Sequence, residues 1–246
     1  MKTAGCYSCR MQATIALFDI DGTLLRAGGA GRRAVERALE DLLGETLGKM
    51  SLEAVEFAGR TDPWIVRQAL IHHGVAPDEG LIAEVLRLYV DYLPDELERA
   101  SAFEVLPGVR ALLEILITRD DTCLGLGTGN TEAAAYAKLR RGEIDSFFAF
   151  GGFGSDHLDR AELLRVGFER ARGLSAAAAH RVVVIGDTPH DVVAAHAIGA
   201  ECIAVSTGWY DSASLEAAGA NHVVADLEDP SVLDAITGSL AISKDV

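Results

Sequence analysis

Residues 14–23 read Thr14-Ile15-Ala16-Leu17-Phe18-Asp19-Ile20-Asp21-Gly22-Thr23. The run is apolar until it stops at two aspartates separated by a single residue. Unbroken rather than alternating apolar character marks a strand covered on both faces. Similar short runs, bounded by Gly or Asp, recur at residues 122–126, 147–150, 181–185, 201–205 and 222–224. Helical patterns fill the gaps at residues 109–118, 131–140, 160–172, 191–198 and 212–218. Alternation of strand and helix predicts a doubly wound parallel sheet of the α/β class with right-handed crossovers.

One interval breaks the rhythm. From about Gly28 to about Ser101 there are helical patterns and no strand-like run. Asp62 as N-cap, Pro63 in the first turn and Gly74 past the end mark a helix over residues 64–73, and residues 81–92 read as another. The expected organisation is therefore an α/β core of residues 1–27 and 102–246, with a helical cap of residues 28–101 inserted after the first strand. Residues 1–10 read as a disordered extension, and Met11 stands directly before the first structured run.

Composition narrows the function. The 246 residues carry 22 Lys and Arg against 37 Asp and Glu, a formal charge of −15. That mean field repels a phosphate-rich polymer, so nucleic acid is not an expected partner. Four cysteines in a chain this long do not make a disulfide framework, and the Cys6/Cys9 pair lacks the second pair that a zinc site needs. No apolar stretch is long enough for a signal segment or a membrane span, and the expectation is a cytoplasmic protein with no membrane partner. Oligomeric state is not legible.

Ligands of an open parallel sheet gather beyond the carboxyl ends of its strands. Asp19 and Asp21 follow the first strand, and their i, i+2 spacing should bring both carboxylates to one side. Gly127-Thr128-Gly129-Asn130 ends the second run and precedes a helix whose free backbone N–H groups suit a phosphate. Gly186-Asp187-Thr188-Pro189-His190-Asp191 ends the fourth. Asp19, Asp21, Asp187 and Asp191 should converge at one edge, where carboxylates repel one another unless a hard cation such as Mg²⁺ sits among them.

Asp19-Ile20-Asp21-Gly22-Thr23 matches the DxDGT signature of the haloacid dehalogenase superfamily, and the chain resembles its phosphoglycolate-phosphatase-like branch, with a Rossmann-like core and a small helical cap. The resemblance implies a Mg²⁺-dependent phosphatase acting on a small phosphate ester. It casts Asp19 as nucleophile, Asp21 as the acid that protonates the leaving group, and Thr128 as the hydroxyl that holds the phosphoryl oxygens. Asp19, the backbone carbonyl of Asp21 and the side chain of Asp187 would bind Mg²⁺, with Asp191 beside them. Gly22, Thr23, Gly129, Asn130 and the cap-loop residue Arg60 are the expected substrate contacts. The pattern's usual lysine ahead of the last acidic motif is missing. Arg160, 187 − 160 = 27 residues before Asp187, is assigned its role, because phosphoryl transfer needs a protein cation. Lys138 is expected to lie off the site, its backbone roughly 12 Å beyond Asn130 along the following helix. A phosphosugar mutase is a rival reading, and a non-catalytic phospho-receiver a more distant one.

Overall fold

A computed structural model describes residues 12–174 and 179–238; Cys6, Cys9, Met11 and most of the alanine run 176–179 lie outside them. In chain order the elements are β1 (Gln12–Phe18), β2 (Leu25–Ala27), α1 (Ala30–Leu47), α2 (Asp62–His72), α3 (Glu79–Glu98), β3 (Phe103–Val105), α4 (Val109–Leu116), β4 (Thr122–Thr128) and α5 (Glu132–Arg141). Then follow a 3₁₀ turn (Asp145–Phe147), β5 (Gly151–Phe153), α6 (Arg160–Leu174), β6 (Ala179–Gly186), α7 (Pro189–Ala197), β7 (Glu201–Val205), α8 (Ser212–Ala217), β8 (His222–Val224) and α9 (Ser231–Thr237).

Six strands form one parallel sheet in the order β5-β4-β1-β6-β7-β8. Both of its faces are covered, and β1 shows how. Ile15 and Leu17 are buried with Leu163 of α6 and Val192 of α7, while Ala16 and Phe18 are buried with Leu113 of α4 and Leu139 of α5. The two-residue period of a strand sends alternate side chains to opposite layers, which is why this run shows no polar alternation.

Register then builds the site. Phe18 of β1 pairs with Leu126 of β4 and Ile185 of β6. One or two residues further along those three neighbouring strands stand Asp19, Thr128 and Asp187. The central strands thus end level, and their next residues meet.

The interval 28–101 contains α1, α2 and α3 and no strand among its described residues. It leaves and rejoins the sheet layer through a two-stranded antiparallel ribbon, β2 against β3, with Leu25 opposite Val105. Each ribbon strand carries a charged residue at its centre, Arg26 in β2 and Glu104 in β3, so neither shows the apolar run that marks the strands of the sheet. Two further expectations are corrected. Thr61, not Asp62, is the N-cap of α2, and Asp62 instead accepts a hydrogen bond from the Thr131 backbone N–H at the start of α5 (2.7 Å). The apolar run 147–150 is not a strand: it leaves a 3₁₀ turn and plugs the core with Phe148 and Phe150, and the strand is the glycine-rich segment that follows.

Those glycines have a packing reason. A Cβ on Gly152 would sit 1.7 Å from the Leu163 carbonyl oxygen, and one on Gly127 would sit 2.4 Å from the Leu164 side chain. Helix α6 therefore lies directly against β4 and β5, and its first residue, Arg160, is carried to the ends of the strands. Gly152→Ala is expected to destabilise the fold by about 2–3 kcal/mol, because the opposing atom is backbone and cannot swing away. Urea unfolding checks this, and a midpoint equal to wild type would contradict the close-packing account.

Candidate active site

A cavity of about 720 Å³ opens beyond the ends of β4, β1 and β6, between the sheet and the helices of the insert. Asp19, Asp21, Thr128, Arg160 and Asp187 line it from the sheet side. Carboxylate oxygens of Asp19, Asp187 and Asp191 lie within 4.8 Å of one another, and all three residues are buried.

Arg160 holds this cluster together. Its Nη2 lies 3.0 Å from Asp19 Oδ1 and 2.6 Å from Asp191 Oδ1, and its Nε donates to the same Asp191 oxygen at 2.8 Å. Burial works against the guanidinium's charge, but Asp191 and Asp19 hold its pKa above the ordinary value. Asp191's other oxygen accepts from the Thr188 backbone N–H (3.0 Å) and hydroxyl (2.7 Å), closing a capping box at the start of α7. Asp191 is therefore both a helix cap and the anchor of Arg160. Asp187 receives the Thr23 hydroxyl at 3.2 Å.

The electrostatics remain unbalanced. Burial lifts Asp19 to about 6 against the pull of Arg160, with Asp191 and Asp21 adding to the rise. Burial, with Asp19 and Asp191 nearby, pushes Asp187 well above the usual carboxylate range. One guanidinium among three buried carboxylates leaves negative charge that a hard, oxygen-seeking cation would neutralise, and a donor set made only of carboxylates fits such an ion.

Asp21 departs from the expected geometry. β1 ends at Phe18, and Gly22 follows with φ +88°, so strand alternation does not carry through to residue 21. Asp19 faces Arg160 and Asp191, whereas the Asp21 carboxylate is turned to α5, where Lys138 Nζ meets Oδ2 at 2.6 Å and Asn130 Nδ2 donates to it at 2.8 Å. The Asp21 side chain is absent from the three-carboxylate cluster.

Lys138 is thus a correction. Its backbone lies in the second turn of α5, but helical side chains slope back toward the N-terminus, and on the face shared with the buried Ala134 and Ala135 its ammonium reaches Asn130 and Asp21. A lysine on the apolar face of a short helix was the signal that sequence reasoning passed over.

The expected substrate contacts divide. The Thr128 hydroxyl is buried and accepts from the Asn130 backbone N–H (3.3 Å) and side chain (2.9 Å); among the described residues its own O–H has no acceptor, so it can donate to a ligand. Gly129 and Asn130 line the cavity. A Cβ on Gly129 would strike the Arg60 carbonyl oxygen at 2.2 Å, so the cap loop rests on it. Gly22 lines the cavity, but its N–H donates to Leu25 O (2.9 Å), and Thr23 serves Asp187 rather than the cavity. Arg60 reaches the cavity wall with its guanidinium committed to Glu56 (2.6 Å) and to the face of Trp64 (4.4 Å). Arg32 was not expected. It lines the cap wall, lies 4.7 Å over Phe57, and among the described residues pairs with no carboxylate.

Comparison with known proteins bears on the family of the chain. Phosphoglycolate phosphatase from Synechococcus elongatus is 30% identical over 230 residues, spanning 92% of this chain and 98% of the relative. The chain belongs to the haloacid dehalogenase superfamily, in its phosphoglycolate-phosphatase-like branch. It is a phosphoric monoester hydrolase of the haloacid dehalogenase type. The phosphoglycolate phosphatase of Pseudomonas putida is 29% identical over 235 residues, 91% of this chain and 81% of that one. A family model described as HAD-hydrolase-like matches residues 164–230. The fold is shared with a predicted phosphatase from Clostridium acetobutylicum, at TM-score 0.67 and 20% identity over 92% of this chain and 98% of that one. Among the described residues of this haloacid dehalogenase relative, no helix is long and apolar enough to cross a membrane.

Arg160→Ala strands two buried carboxylates and should cost about 3–5 kcal/mol of stability as well as most phosphate release. Arg160→Lys should keep a measurable part of both, since it retains charge without the fork. Thermal melts and phosphate-release kinetics on the two variants check this; wild-type stability and turnover in Arg160→Ala would contradict it.

Proposed function

We propose that the chain hydrolyses a small phosphomonoester of the phosphoglycolate type through an aspartyl-phosphate on Asp19. The observation that carries this reading is the Asp19 carboxylate, fixed by Arg160 at the end of β1 and facing a cavity shared with Thr128 and Asp21. In the first step an Asp19 oxygen attacks phosphorus while the ester P–O bond breaks, and the Asp21 carboxyl gives its proton to the departing oxygen. In the second step Asp21, now ionised, takes a proton from water as that water attacks phosphorus, releasing inorganic phosphate and restoring Asp19. Arg160 and the Thr128 hydroxyl bear on the phosphoryl oxygens, where charge accumulates.

Asp19 and Asp187 would hold Mg²⁺, with Asp191 fixing Arg160 beside them. When bound, the ion screens the phosphate's charge from the attacking carboxylate. The substrate class is supported by the names of the two relatives and by Arg32, a cation on the cap wall that donates to the Leu52 carbonyl (3.0 Å) but pairs with no carboxylate among the described residues, and so is suited to a carboxylate beyond the phosphate. The insert of residues 28–101 is proposed to act as a lid that excludes water during transfer.

Asp19→Asn should stay folded and lose turnover by about 10⁴-fold or more, because the amide is not a nucleophile. Near-normal phosphate release from a folded Asp19→Asn protein would sink the mechanism. Across a panel of small phosphomonoesters, phosphoglycolate should exceed ethyl phosphate in kcat/KM. Arg32→Ala should shrink that preference about 10- to 100-fold, the worth of one charged hydrogen bond. A preference that survives Arg32→Ala intact would remove Arg32 from substrate recognition.

A further inference from the structure

Asp21 differs from the other acids of the site in having a partly exposed side chain, 43% accessible, on a segment that has already left its strand. A carboxylate so placed is free to rotate unless something fixes it, and a proton donor misplaced by about 1 Å forfeits much of its rate advantage. Arg160 cannot fix it, since its contacts go to Asp19 and Asp191. The two groups that do hold Asp21 come from the other side of the site. Lys138 Nζ and Asn130 Nδ2 both act on Oδ2, at 2.6 and 2.8 Å, and Lys138 also reaches Asn130 Oδ1 at 2.6 Å. Asn130 donates in addition to the Thr128 hydroxyl oxygen at 2.9 Å. Lys138 is itself 5% exposed, so this ammonium has been taken out of water to make these contacts.

Both donors grip one oxygen, and among the described residues Oδ1 receives no hydrogen bond. We infer that Lys138 is a positioning residue for the leaving-group acid: with Asn130 it pins Oδ2 of Asp21, so that Oδ1 is the oxygen that faces the substrate and carries the proton. The inference rests on the reading of Asp21 as general acid. It assigns two of the site's protein cations separate tasks, Arg160 to the nucleophile and Lys138 to the acid.

The test exploits leaving groups. Phosphoglycolate releases an alkoxide that must be protonated as it departs, whereas 4-nitrophenyl phosphate releases an anion stable without help. In the full-length protein, Lys138→Met should lower kcat/KM on phosphoglycolate about 100-fold, while kcat/KM on 4-nitrophenyl phosphate falls by less than about fivefold; kcat/KM counts only the steps up to departure of the leaving group, so the water attack that Asp21 serves for both esters does not enter it. Lys138→Arg should recover at least about a tenth of the lost rate on phosphoglycolate. An equal loss on both esters, or no loss on either, would overturn the inference. If circular dichroism shows Lys138→Met unfolded, Lys138→Arg is judged alone, with a loss about tenfold greater on phosphoglycolate than on the aryl ester expected and equal rates overturning. Asp21→Asn is measured alongside. A split between the esters in Asp21→Asn but not in the Lys138 variants refutes the positioning role alone. No split in Asp21→Asn refutes the general-acid reading and the inference with it.

Discussion

The Arg160 guanidinium, wedged between Asp19 and Asp191, is the contact on which the rest of the site depends. It ties the start of α6 to the end of β1 and to the first turn of α7, so three elements distant in sequence are locked at one point. The glycines of β4 and β5 let α6 lie close enough to deliver it, and the capping box of Thr188 and Asp191 sets the carboxylate that receives it. Buried ion pairs of this kind return little net stability, because desolvation offsets most of their attraction. What they provide is fixed charge in a dry site, which is what a phosphoryl group requires.

A second polar cluster lies on the opposite wall. Lys138, Asn130 and Asp21 meet there, and Asp62 of the insert accepts from the backbone N–H of Thr131 beside them. Asp62 is buried and lifted to about 6 by desolvation, against the pull of Lys138. The two carboxylates after β1 are thus separated by environment: Asp19 lies among carboxylates and a guanidinium on the α6 side, and Asp21 is held by an ammonium and an amide on the α5 side. Two carboxyl groups two residues apart acquire different surroundings because the chain turns between them, and such a difference is what suits two carboxyls to different proposed tasks.

The sheet was legible wherever strands were apolar and long enough, as in β1, β4, β6 and β7. It was not legible at β5, where glycines replace the apolar signal because α6 occupies their space, nor at β2 and β3, where Arg26 and Glu104 interrupt the apolar run. The insert was legible as an interruption, although Asp62 reads locally as the cap of its own helix and serves another one, a tertiary use that no local rule anticipates. At the site, spacing after strands singled out Asp19, Thr128 and Asp187, and distance along the chain singled out Arg160. Lys138 is hidden from a count of backbone separation because a helical side chain slopes backward, and the role of Thr23 is hidden because its hydroxyl's partner, Asp187, lies 164 residues away.

Asp19 and Asp187, with Asp191 fixing Arg160 beside them, are proposed as the seat of a divalent cation, and the rest of the proposed chemistry depends on it. Isothermal titration of Mg²⁺ into the purified protein tests it most directly, with Asp187→Asn as the comparison. The account predicts one ion per chain in the wild type, and affinity weaker by about tenfold or more in a folded Asp187→Asn protein. A wild-type chain that binds no Mg²⁺ at millimolar concentration yet still releases phosphate in the presence of chelator would contradict it.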